Sequence, residues 1–286
     1  MRNIVKKTTL VSSLVLALSA NSMYAQSFEW ISSTEGNTWQ KSKAKLQTNA
    51  AQTPILDVSG SEEGTVFKAW GTCFNELGWD ALNMLPRKEQ ETILHKLFSP
   101  KGELRFTMGR FSMNANDYAR DWYSCDEVPG DFQLKYFNIN RDKTTLIPFI
   151  KAAQQYNPNM TFWMSPWSPP SWMKINHYYS VRSDRNQNQM SPLSDVALFE
   201  GSKEKNTKVF PQQLAVNDYF IQDPRYLQTY ANYFCKFIDA YKQQGIAISM
   251  VMFQNESWSY TNYPGCAWTA EGIIRFNTEY LAPTLK

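Results

Sequence analysis

Residues 249–258 read SMVMFQNESW, a short apolar run that ends in Gln254, Asn255 and Glu256 and opens a loop carrying Trp258, Tyr260 and Tyr263. An apolar run of this length marks a strand buried on both faces, as in a parallel sheet. Just upstream, Asp223 and Pro224 supply a helix start, Leu227, Tyr230, Phe234, Phe237, Ile238 and Tyr241 fall on one helical stripe, and Gly245 ends it. Helix, then strand, then polar groups at the strand end is the rhythm of a βα unit. A carboxylate placed there stands on a rigid platform, where parallel α/β folds collect their chemistry.

The same rhythm recurs upstream. Residues 66–74 (VFKAWGTCF), 104–108 (LRFTM) and 160–164 (MTFWM) read as strands, and 246–253 is the fourth. Residues 87–98, 144–155 and 270–280 carry helical spacing between or after them. Strands joined through helices imply parallel βαβ units with right-handed crossovers, hence a barrel or a doubly wound sheet. No GxGxxG or P-loop supports a nucleotide-binding sheet, so the barrel is preferred. A closed (β/α)8 barrel needs eight strands in about 250 residues. Here the fourth is reached near residue 250 of 286. The expectation is therefore the first four βα units of a TIM-type barrel from a truncated gene product, or a fold that is not a full barrel.

Residues 1–25 have the layout of a secretory signal: Arg2, Lys6 and Lys7, an apolar stretch over 10–20, and small residues at Ala20, Ser22 and Ala25. The apolar run is too short to span a bilayer. Export to the periplasm or the extracellular space is expected, with no stable membrane insertion. Residues 26–65 lack helical periodicity and read as a β segment, and 66–286 as the barrel region. A net charge of +3, part of it in the signal, gives no nucleic-acid groove. Cys73, Cys125, Cys235 and Cys266 show no CxxC pairing, and their redox state stays open. With only His95 and His177 and no GxSxG, a histidine-rich metal site or a Ser-His-Asp triad is disfavoured. No metal or cofactor is called for.

Strands ending near Met108, Met164 and Phe253 would place Arg110, Asn114 and Asp117, Trp167 and Trp172, and Asn255 and Glu256 on one rim, with Glu76 and Asp80 after the first strand. Tryptophans beside carboxylates suit sugars, whose C–H faces stack on indole while their hydroxyls bond to polar groups. Five segments then carry a specific likeness: 71–85 (GTCFNELGWDALNML), 105–117 (RFTMGRFSMNAND), 129–134 (PGDFQL), 165–172 (SPWSPPSW) and 254–256 (QNE). In order and spacing the chain resembles glycoside hydrolase family 30, which includes glucosylceramidases and bacterial β-glycosidases.

The resemblance implies a (β/α)8 barrel, with the N-terminal β segment belonging to a side β-sandwich, and retaining hydrolysis of a β-linked saccharide or glycoside without a cofactor. It implies that Glu256 is the general acid/base, and that Asn255, Arg110, Asp117, Trp167 and, after the first strand, Glu76 bind the sugar. It also implies a nucleophilic glutamate late in the barrel, which has no counterpart in these 286 residues. Ser257 stands where the family usually has proline. The alternative is a catalytically inactive fragment that at most binds carbohydrate. Glucosylceramide, and with it sphingolipid metabolism, is one substrate class the family brings.

Overall fold

The computed structural model describes residues 27–45, 64–181, 217–259 and 261–286. The signal-like segment, Tyr260 and residues 46–63 lie outside the described residues. The chain divides into two compact units, Met1–Val66 and Phe67–Lys286. The described part of the first is a β-hairpin, β1 (Ser27–Thr34) and β2 (Asn37–Lys45), paired antiparallel with an irregularity between Ser32 and Thr34.

The second unit holds a four-stranded parallel sheet of β3 (Gly71–Phe74), β4 (Met108–Met113), β5 (Thr161–Pro166) and β6 (Ile248–Val251), in that spatial order. Its helices are α1 (Glu76–Asn83), α2 (Arg87–Phe98), α3 (Leu146–Tyr156), α4 (Pro224–Gln243) and α5 (Ala270–Arg275). Strand order follows chain order without reversal, which is how a barrel winds and a doubly wound sheet does not.

The two faces of the sheet differ. Phe74, Phe111 and Met164 share one row, and Gly109 and Phe162 lie on the same face. All four of those side chains are buried under helices. Phe74 packs against Phe98 and Phe149, and Phe111 stacks on Tyr241 with ring centroids 4.9 Å apart. Gly109 is required here, because a Cβ would lie 2.5 Å from the Phe74 ring and 2.8 Å from that of Phe162. Cys73, Arg110, Trp163 and Met250 form the adjacent row on the opposite face, where Cys73 and Met250 are exposed. Among the described residues the helices that cover the sheet lie on one side, as in part of a TIM barrel.

The helix read from Asp223 and Pro224 forms as its signals dictate. Asp223 accepts the Arg225 N–H at 2.8 Å, the stripe from Leu227 to Tyr241 faces the core with Ile238 at its margin, and Gly245 turns away at φ +72°. The strand limits differ from the sequence reading. β3 begins at Gly71, not at 66. Residues 104–107 do not pair as a strand; the N–H groups of Leu104 and Phe106 bond to the carbonyls of Lys96 and Leu97 and close the end of α2. β4 runs on through Gly109 to Met113, so Arg110 lies within the strand and not after it. Residues 270–281 break into α5 and a π-helical turn, Phe276–Leu281, which seats Phe276 beneath Trp268 and Tyr230.

Candidate active site

Arg110 is the centre of the rim. Its side chain leaves β4 on the open face, and period-two alternation along β5 sends Trp163 and Ser165 to the same face. The guanidinium lies 4.8 Å from the Trp163 ring centroid and 4.4 Å from that of Trp167. One of its terminal nitrogens donates to Ser165 Oγ at 2.9 Å and to Asn255 Oδ1 at 2.7 Å. Three strand ends thus meet at one cation. Stacked, partly desolvated arginine of this kind is rigid, and burial holds its pKa below the ordinary value.

Asn255 and Glu256 follow β6. The Asn255 N–H donates to Pro166 O at 2.8 Å, and buried Gln254 donates to the Trp167 and Asn255 carbonyls, so the turn is pinned to the end of β5. Glu256 then takes a left-handed φ of +48°, which costs a non-glycine residue about 1–2 kcal/mol and marks a constrained position. Its carboxylate is exposed, and Oε2 accepts a hydrogen bond from the Tyr263 hydroxyl at 2.6 Å. Asp117, in the loop after β4, accepts a hydrogen bond from the Trp167 side chain. Partial desolvation, and then the nearby Glu256 charge, push the Asp117 carboxyl above the usual range.

Of the sequence-predicted set, Arg110, Asp117, Trp167, Asn255 and Glu256 therefore come together. Glu76 does not join them. It is fully buried at the start of α1, where Arg141 donates twice to it at 2.9 and 2.7 Å and the Arg120 N–H at 2.8 Å. A sugar hydroxyl has no access to that carboxylate, and the substrate-binding assignment of Glu76 is withdrawn. Asp80 is held by Arg120. Asn114 and Trp172 lie beneath the rim: Asn114 bonds to Tyr233 and Cys125, and Trp172 donates to Asp126 O at 3.0 Å. Trp163 and Ser165 escaped the sequence reading because they sit inside a strand, although alternation from Arg110's neighbours would have found them. Tyr263 was seen only as one ring of an aromatic loop. Among the described residues no three His, Cys, Asp or Glu side chains cluster to hold a metal, and all four cysteines are unpaired.

Residues 67–188 match the model of the glycosyl hydrolase family 30 TIM-barrel domain. The putative glucosylceramidase 3 of Caenorhabditis elegans is 28% identical over 257 residues, covering 86% of this chain and 41% of that protein. The endo-1,6-beta-D-glucanase neg1 of Aspergillus fumigatus is 26% identical over 217 residues, covering 74% of this chain and 39% of that one. Among solved structures, SrfJ from Salmonella typhimurium superposes with a TM-score of 0.66 at 20% identity, over 91% of this chain and 51% of that one. The chain thus spans about two fifths of the length of these curated relatives. A match this localised, laid over a sheet that winds like the front of a barrel, shows that residues 67–188 are similar to the glycosyl hydrolase family 30 TIM-barrel domain and that the second unit has the fold of part of such a barrel.

Proposed function

We propose that this chain provides the acid/base side of a retaining β-glycosidase, with Glu256 as the proton-transfer group. The observation that carries the reading is the Arg110 junction, which joins Asn255, Ser165 and two indole faces beside an exposed Glu256. In such a mechanism two carboxylates about 5–5.5 Å apart flank the scissile bond. Protonated Glu256 gives its proton to the leaving oxygen as the second carboxylate attacks the anomeric carbon. Glu256, now ionised, then takes a proton from water. The Tyr263 hydroxyl, already donating to Oε2, supports the ionised stage. Asn255 faces the sugar's 2-hydroxyl and Asp117 accepts from its hydroxyls, while Trp167, 8% exposed with Arg110 over one face, offers the sugar only the part of the indole that remains.

Among the described carboxylates after the first two strands none is placed as the nucleophile: Glu76 is sealed by Arg141, Asp80 is engaged by Arg120, and Asp117 accepts from Trp167 on the sugar-binding side. That favours a second reading for the 286 residues on their own, a carbohydrate-binding fragment without turnover. The relatives' names point to glucosylceramide or a β-1,6-glucan as the substrate class. Residues 1–25 direct export, and the β1–β2 hairpin belongs to a β-sandwich; residues 46–63 lie outside the described residues. The test is an assay of the protein expressed from its whole reading frame, using aryl β-glucosides with good and poor leaving groups. Glu256→Gln should lower turnover by about 10²–10⁴ for poor leaving groups and far less for good ones. Equal rates in both proteins would refute the role of Glu256, and saccharide binding without turnover would establish the fragment reading.

A further inference from the structure

Lys174 is fully buried, yet no carboxylate among the described residues pairs with it. Its Nζ donates instead to neutral acceptors: Gly265 O at 2.6 Å, Tyr179 O at 2.8 Å, Ser180 O at 3.1 Å and Ser168 Oγ at 3.3 Å. A buried cation is kept only where such dipoles replace water; removing it would leave Gly265 O without its donor, while Tyr179 O keeps the Gly265 N–H and Ser180 O keeps Asn176 Nδ2. The acceptors come from three chain segments. Ser168 follows Trp167 directly, and Gly265 lies two residues beyond Tyr263, which holds Glu256. Residues 179–181 run between them, with Gly265 N bonded to Tyr179 O and Val181 N to Thr261 O, both at 3.0 Å.

We propose that Lys174 is a positioning residue, whose ammonium ties the loop carrying Trp167 to the loop carrying Tyr263 and so sets the spacing between the Trp167–Arg110 stack and the Glu256 carboxylate. The inference rests on the site assignment above for its meaning, but its physical core is independent of any sugar. A methylene chain alone would fill the space without joining the loops. The ammonium joins them because its three protons are shared among four acceptors on separate segments.

Amide hydrogen exchange on the full chain tests the tie. In Lys174→Met the amides of 178–181 and 261–268 should exchange at least about tenfold faster, while α2 and α3 keep their protection. In Lys174→Ala, propylammonium should restore slow exchange at those amides and propanol should not, because only the amine replaces the lost charge and donors. Should the alanine variant not fold, the methionine variant alone decides. Unchanged exchange in Lys174→Met, or equal rescue by propanol and propylammonium, would overturn the proposal. Tryptophan fluorescence titration of the unaltered chain with a β-glucoside reports separately on the site assignment. Absent binding there, with exchange and rescue as expected, would remove the sugar reading and leave the tie in place.

Discussion

Arg110 and Arg141 both stack on aromatic rings, and they do opposite things. Arg141 lies 4.0 Å from the Tyr123 ring centroid and is closed off by carboxylates, Glu76 on one side and Asp121 on the other. Arg110 lies between Trp163 and Trp167 and bonds to neutral groups, Ser165 and Asn255. One charge is spent on holding α1 to the loop before α3. The other faces the open side of the sheet, with its nearest carboxylates, Asp117 and Glu256, positioned for a third party. A satisfied arginine stabilises; an arginine satisfied only by neutral partners is poised for a ligand.

The largest effect that sharpens this contrast is in stability. Glu76→Ala leaves half-buried Arg141 with Asp121 alone and takes the acceptor from the Arg120 N–H, and should cost roughly 3 kcal/mol in denaturant unfolding. Saccharide binding by the folded fraction should not change. Next is the same network's pH dependence. Burial raises the Asp142 carboxyl to about 6, against hydrogen bonds from Tyr123 and Tyr241 that favour its ionised form. Folded protein then holds this proton more tightly than the unfolded chain does. Below about pH 4 both states are protonated and the site imposes no cost; stability falls as pH rises toward 6 and stays lower above it, by about 3 kcal/mol. Asp142→Asn should abolish that component, seen as a flatter stability-against-pH curve between pH 4 and 7.

Arg110→Met should reverse the pattern of Glu76→Ala. Stability changes by about 1 kcal/mol, because the partners that lose their donor, buried Ser165 and half-buried Asn255, are neutral, but β-glucoside affinity should drop by roughly 10–100-fold in fluorescence titration. Smaller still is Tyr263→Phe. Losing one hydroxyl hydrogen bond to Glu256 should lower turnover of poor leaving groups by about tenfold. A loss of stability in Arg110→Met as large as in Glu76→Ala would erase the distinction between the two arginines.

The sequence carried the barrel rhythm because helix and strand periods switch cleanly at Asp223, Gly245 and Phe253. It misplaced β4 because Leu104–Thr107 has strand-like composition while Gly109, which weakens any strand reading, sits inside the true strand to let two phenylalanine rings approach. Glu76 was misassigned for a related reason. From the sequence a carboxylate after a strand looks the same whether it meets solvent or the distant Arg141, 65 positions away. Except for Arg110, which lies within β4, the rim residues that were legible follow strand ends, where chain order alone brings them together. Those that were not, Trp163 and Ser165, depend on which face of a strand is open, and that is decided by packing on the other side.

The most direct measurement is a crystal structure of the chain with a β-1,6-linked glucose oligosaccharide bound. The account predicts a sugar ring against the Arg110 junction, its 2-hydroxyl on the Asn255 side chain and its glycosidic oxygen within hydrogen-bond reach of Glu256. An oligosaccharide seated elsewhere, with the Arg110 junction left facing solvent, would contradict it.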